Sequence, residues 1–130
     1  MSVLARLFRA EPDSDGVVML RRYQHLLVTA PLESLEQAHA EAFLQLREPQ
    51  RAAIYEELSR GTGTGERPLS SEPATLARSA TRAERRVPGS LERALRAADD
   101  RGGFAGSLVG AVVDHVATSH LVSAFLPWNG

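Results

Sequence analysis

A chain of 130 residues carrying 15 basic and 16 acidic side chains fits one domain with a modest core, and its net charge of −1 argues against a nucleic-acid partner, which asks for a basic surface. The basic residues are all arginine, so the lysine of a phosphate-cradling P-loop is missing, and the absence of cysteine excludes a disulfide scaffold, a thiolate metal site and a cysteine nucleophile. Alanine and leucine far outnumber valine and isoleucine, a balance that favours helix over sheet.

In chain order, residues 1–10 form a short amphipathic piece, with Val3, Leu4, Leu7 and Phe8 on one side and Arg6 and Arg9 on the other. Such a segment lies on an anionic membrane surface or docks on the core as a frayed terminus, and it lacks the apolar stretch of a secretory signal. The run from Glu11 to Gly16 is a polar break that leaves acidic side chains at the start of a helix over 17–29. Met19, Leu20, Tyr23, Leu26 and Leu27 fall on one arc of it.

Pro31 opens a second helix to about residue 46, whose stripe is Leu32, Leu35, His39, Ala42, Phe43 and Leu46. Pro49 starts a third, with Ile54, Tyr55 and Leu58 inward and Gly61 as its C-cap. Residues 61–71 have the composition of a flexible loop joining the halves 17–60 and 72–126 of one helical domain, 17–130, behind the N-terminal segment 1–16.

Pro73 begins a fourth helix to about residue 86, with a narrow inner face of Leu76, Ala77, Ala80 and Ala83. Ser90 is the expected N-cap of a short fifth helix to about residue 98. Residues 104–126 read as one long final helix, apolar around most of its girth and therefore enclosed at the centre of the bundle. As a membrane span it fails. Its ten strongest apolar residues return about 3–6 kcal/mol on insertion, Asp114 alone costs ~2.5–3.5, and two histidines follow. The expected fold is an all-α, single-domain helical bundle around a glycine-rich C-terminal helix.

Gly102, Gly106 and Gly110 make a GxxxGxxxG run, which lets another backbone approach closely. The partner is a helix of the same chain, the favoured reading, or the matching helix of a second copy in a homo-oligomer. Glu36 and His39 form a Glu-x-x-His pair of the kind that di-iron bundles use twice, but no second pair exists. A single-metal site, with zinc the natural choice, would draw on His39, His115 and His120 with Glu36 or Asp114 adding oxygen. On one helix His115 and His120 stand about 140° apart, which makes sharing an ion awkward. The simpler reading is histidines hydrogen-bonded in or near the core. Asp114, His115 and a nearby serine lack the strand–turn–helix setting of a hydrolase nucleophile.

Arg78, Arg82, Arg85 and Arg86 form a basic stripe, and residues 31–57 hold the opposite imbalance. Either the two blocks neutralise one another across the fold, the favoured reading, or the stripe is a docking face for an acidic protein, an anionic lipid or RNA. No aromatic side chain is interleaved with the arginines, which weakens the RNA option.

The run from Tyr23 to Phe43, with residues 46–51, 81–84, 88–93 and the glycine-rich tail, resembles a group of short uncharacterised helical proteins of high-GC bacteria. Some carry a cation-transporting ATPase label. A P-type pump needs an aspartate followed by Lys-Thr-Gly and several membrane spans, so a lysine-free chain does not suit it. The resemblance implies a bacterial protein, cytoplasmic or membrane-adjacent, and transfers no catalytic residue.

With no complete catalytic constellation in the sequence, the leading expectation is a non-enzymatic interaction or scaffold protein in the cytoplasm, without a cofactor, with an unidentified protein partner or a second copy of itself. A metal- or cofactor-binding protein built on the three histidines is the rival. Peripheral membrane attachment through residues 1–10 is a third.

Overall fold

The computed structural model of the chain describes residues 15–61 and 67–126. Across them run α1 (Asp15–Thr29), α2 (Leu32–Leu44), α3 (Glu48–Gly61), α4 (Pro73–Arg86), α5 (Ser90–Gly102), α6 (Leu108–Ala117) and a single 3-10 turn, Ser123–Phe125. No strand occurs among the described residues, and the helices pack as a single-domain bundle. The amphipathic piece expected over residues 1–10 lies outside the described residues, as does much of the 61–71 loop.

Prolines set the helix starts. Pro31 sits at the N-cap of α2 with φ −61° and ψ 148°, and Pro73 is the first residue of α4. The most extensive pairing is α2 against α4, followed by α3 against α5; α6 lies across α1 and α2 and touches α5. The small Ala77, Ala80 and Ala83 on the inner face of α4 let α2 come close, and Leu35, Ala38, Ala42 and Phe43 fill the interface from the other side. Tyr23, Leu26, Ile54, Leu76, Leu91, Leu95, Leu108, Val112 and Val116 complete a continuous core, each fully buried. Burying such a side chain contributes about 1.5–3 kcal/mol, so the stripes at helical spacing are the main force holding the bundle.

The C-terminal region departs from the expected single rod. Its α-helix is α6, only 10 residues long. The Asp99 carboxylate, near the end of α5, accepts from the backbone N–H of Leu108 at 2.7 Å and of Val109 at 3.2 Å, while the Ser107 hydroxyl accepts from Gly110 N–H at 2.9 Å. Three otherwise orphaned amides are thereby satisfied, and the helix starts there rather than at Phe104. At the far end the Thr118 hydroxyl donates back to the Asp114 carbonyl at 2.7 Å, and Ser119 Oγ accepts from Leu121 N–H at 3.1 Å. These local bonds compete with the helical ladder and turn the chain out of it. Ala111 and Asp114 are exposed, so α6 presents a side to water and the centre of the bundle is the α2–α4 interface instead.

The glycine run loses its geometry with the rod. Gly102 ends α5, Gly106 lies in the connection and Gly110 belongs to α6. A methyl group added at Gly106 would meet nothing within 4 Å, and one at Gly110 would meet only the Ser107 side chain at 3.5 Å. No second helix packs on these glycines among the described residues. The glycines that the backbone does require are Gly89 (φ 91°) and Gly103 (φ 61°), which bound α5 in left-handed conformations. Among the described residues no helix is long and apolar enough to cross a membrane.

Candidate functional site: two faces of α4

The inner face of α4 carries a buried polar chain. Tyr23 on α1, His39 on α2 and Thr81 on α4 are each fully buried. The Tyr23 hydroxyl lies 3.0 Å from His39 Nε2, and His39 Nδ1 lies 3.0 Å from Thr81 Oγ1. Thr81 in turn donates to the Ala77 carbonyl at 2.7 Å.

That last bond fixes the direction of the chain. A hydroxyl has one proton, so Thr81 must accept from His39, which assigns the imidazole proton to Nδ1 and makes Nε2 the acceptor for the Tyr23 phenol. The network therefore holds a neutral imidazole. Burial pushes the His39 pKa from 6.5 down to about 4, against a smaller opposing pull from the Leu35 carbonyl. Burial, with the Glu84 and Glu92 carboxylates behind it, pushes the Tyr23 phenol well above its ordinary value. The Tyr23 ring stands edge-on to the imidazole at 5.7 Å, and the Phe43 ring lies 6.0 Å away on the same helix as His39. With no surface exposed, this cluster ties three helices together.

The same face buries Glu84. Its two carboxylate oxygens accept from the backbone N–H of Gly89 at 2.9 Å and of Leu91 at 3.0 Å, so a side chain of α4 caps the start of α5. Ser90, the expected cap, instead donates its hydroxyl to the Ala83 carbonyl at 3.1 Å.

The outer face of α4 is basic. Arg78, Arg82, Arg85 and Arg86 are all exposed, while the one carboxylate of the helix is turned inward. Arg82 pairs with Glu36 of α2 at 3.1 Å. Arg85 reaches across to α1, where Nε donates to the Leu27 carbonyl at 3.0 Å and Nη2 to the Ala30 carbonyl, satisfying carbonyls at the end of that helix. Elsewhere Arg101 of α5 pairs with Glu57 of α3 at 2.6 Å. The basic and acidic blocks of the sequence meet, among the described residues, at Arg82–Glu36 and at Arg101–Glu57. Leu32, at the start of α2, forms with Arg82, Arg85 and Arg86 the lining of an open depression of about 490 Å³.

The residues weighed as metal ligands separate. His39 is in the core with both ring nitrogens engaged by hydroxyls, and Glu36 is committed to Arg82. His115 Nε2 lies 3.5 Å from Glu41 Oε1 on the surface, and Asp114 is exposed. Because α6 stops at Ala117, His120 comes round to line the same surface depression as His115, with Glu41, Leu44 and Thr118, so the two are not held apart on one rod. Among the described residues no three histidine, aspartate or glutamate side chains are grouped to hold a metal ion. Comparison with protein-family models, curated proteins and solved structures found no match.

Several residues that organise the molecule carry no local signal of their role. Glu84 and Asp99 are two acids among the 16 of the chain, and nothing in their neighbours marks them as helix caps. Thr81 and Tyr23 carried no polar signal, since their partner His39 is 42 and 16 residues away.

Proposed function

We propose that this chain is a non-enzymatic interaction module of the cytoplasm that docks an acidic protein segment on the outer face of α4. The observation that carries the reading is the partition of charge on that helix: its arginines point outward and its only carboxylate is consumed in capping α5. A solvated helix face ordinarily intersperses both signs, so a face of one sign steers a partner of the other. Leu32 at the rim and the exposed Val87 beside Arg86 add apolar area to the same region. The buried polar groups support the non-enzymatic part of the reading, because Tyr23, His39, Thr81 and Glu84 are spent on one another or on backbone amides.

The test is binding of the full chain to poly-glutamate at low and raised salt, alongside the double charge reversal Arg78→Glu and Arg86→Glu. Retention at low salt that fades over about 0.05–0.5 M and disappears in the variant fits the reading, because exposed charges are screened in that range. Absence of retention at low salt overturns it.

A further inference from the structure

We propose that Glu41, His115 and His120 form a surface site for a divalent transition-metal ion such as zinc, which clips the C-terminal end of α6 to α2. The inference is independent of the docking reading, since α4 contributes no residue to the site.

Spacing argues first. His115 Nε2 of α6 and Glu41 Oε1 of α2 stand 3.5 Å apart. That is longer than an ordinary N–H···O hydrogen bond, ~2.7–3.2 Å. It matches the edge of a tetrahedron around zinc, because bonds of ~2.0–2.2 Å to nitrogen and oxygen put neighbouring donors ~3.3–3.5 Å apart. Two donors from different helices already stand at ligand spacing, so an ion shared between them asks for no shift of either backbone.

The third donor follows from the way α6 ends. On a continued helix His120 would stand about 140° from His115, but α6 stops at Ala117 and His120 lines the same depression as Glu41 and His115. Its backbone is pinned there. The Ser123 hydroxyl donates to the His120 carbonyl at 3.2 Å, and Ser119 Oγ accepts from the next amide, Leu121 N–H, at 3.1 Å. The His120 side chain is exposed and has no hydrogen-bond or ionic partner among the described residues. Turning its ring toward the other two donors therefore breaks no bond and costs only the rotamer freedom of one side chain.

Ligand chemistry selects the ion. Two imidazoles with one carboxylate suit zinc, copper or nickel, whereas magnesium and calcium ask for oxygen donors. The other two of the four histidines are committed elsewhere: both ring nitrogens of His39 face hydroxyls in the core, and His25 Nε2 faces the Phe125 carbonyl at 3.1 Å. The Glu41 and His115 side chains are 46% and 34% exposed, so an ion reaches them from solvent without any opening of the bundle. Three protein donors leave the fourth position to water.

Isothermal titration of the untagged full-length chain with zinc chloride tests the site. One zinc per chain is expected, and a large excess of magnesium chloride should not displace it. His115→Ala, His120→Ala and Glu41→Gln should each raise Kd about tenfold or more, since even a group that only orients a metal ligand is worth ~10–100-fold in affinity. Asp114→Asn, on α6 but outside the depression, should leave Kd within about twofold at ~0.15 M salt, where an exposed charge is screened. Zinc at ~100 times Kd should also raise Tm by about 10 °C, because its ligands are brought together only in the folded chain, and the three variants should lose most of that rise. Circular dichroism establishes that each variant is folded; should one fail, the other two still decide.

Absence of stoichiometric zinc binding overturns the site and leaves the docking of an acidic segment standing. Binding that survives His120→Ala overturns it as well, because the set then lacks its third donor. Displacement by magnesium does the same, since it would assign the ion to carboxylates alone.

Discussion

The two faces of α4 use polar side chains in opposite ways. Inward, Thr81 and Glu84 spend every strong donor and acceptor on fixed partners inside the molecule, so their polarity buys one defined arrangement of α1, α2, α4 and α5. Outward, Arg78, Arg82, Arg85 and Arg86 are exposed; Arg82 and Arg85 serve neighbouring helices, and the stripe as a whole faces solvent. The lesson is that polarity in this helix means architecture when buried and recognition when exposed. Substitutions on the first face should cost stability and leave surface chemistry alone; those on the second should do the reverse.

The largest break in that contrast is expected from His39→Ala. It opens a cavity and leaves the Tyr23 and Thr81 hydroxyls buried with one fewer partner each, for a loss of about 3–5 kcal/mol in urea unfolding. A variant that unfolds within about 1 kcal/mol of wild type would show that the chain from Tyr23 to Thr81 does not hold the helices.

Acid should act on the same place. His39 is neutral in the folded chain and titrates near 4, against 6.5 when unfolded. Between those values the unfolded state binds the extra proton, so the contribution of His39 is intact above pH 6.5 and is lost as the pH falls toward 4, by about 3 kcal/mol in all. The stability difference between wild type and His39→Gln, followed from pH 7 to pH 4, should shrink by that order; a constant difference would place the acid sensitivity elsewhere.

A smaller effect follows at Glu84. Replacement by alanine leaves the Gly89 and Leu91 amides without their acceptor and should cost about 1–3 kcal/mol in thermal or chemical unfolding, with Glu84→Gln recovering part of it. The smallest change in stability, within about 0.5 kcal/mol, is expected for Arg78→Gln and Arg86→Gln on the outer face, the positions whose loss should most affect anion binding. A large destabilisation by either would erase the distinction between the faces.

Much of the bundle was legible in the sequence because apolar spacing and proline placement are local signals. The stripes Tyr23–Leu26–Leu27, Leu35–His39–Phe43, Ile54–Leu58 and Leu76–Ala77–Ala80–Ala83 all line the core. His39 was legible as an inward histidine, though not as the middle of a chain, since its partners come from two other helices. The C-terminal region misled for a physical reason: composition registered the apolar girth of residues 104–126, while the helix limits are set by a few polar atoms, those of Asp99, Ser107, Thr118 and Ser119. Once the rod is cut at Ala117, the spacing of Gly102, Gly106 and Gly110 and the angle between His115 and His120 lose the frame in which they were calculated. The arginine stripe was visible at once, but its one-sidedness depended on where Glu84 pointed.

The side-chain caps also carry a kinetic consequence. Glu84 grips amides 5 and 7 residues downstream, and Asp99 grips amides 9 and 10 downstream. By contrast, the bonds that bring in α1 and α2 span 16, 42 and 58 residues. Closing short loops costs less chain entropy, so the corners of α4, α5 and α6 belong to the folding nucleus and the arrival of α1 comes after the barrier. Chevron plots should therefore record Glu84→Gln mainly as slower refolding and Tyr23→Phe mainly as faster unfolding, dividing the molecule into a C-terminal half that assembles itself and an N-terminal half that is latched on.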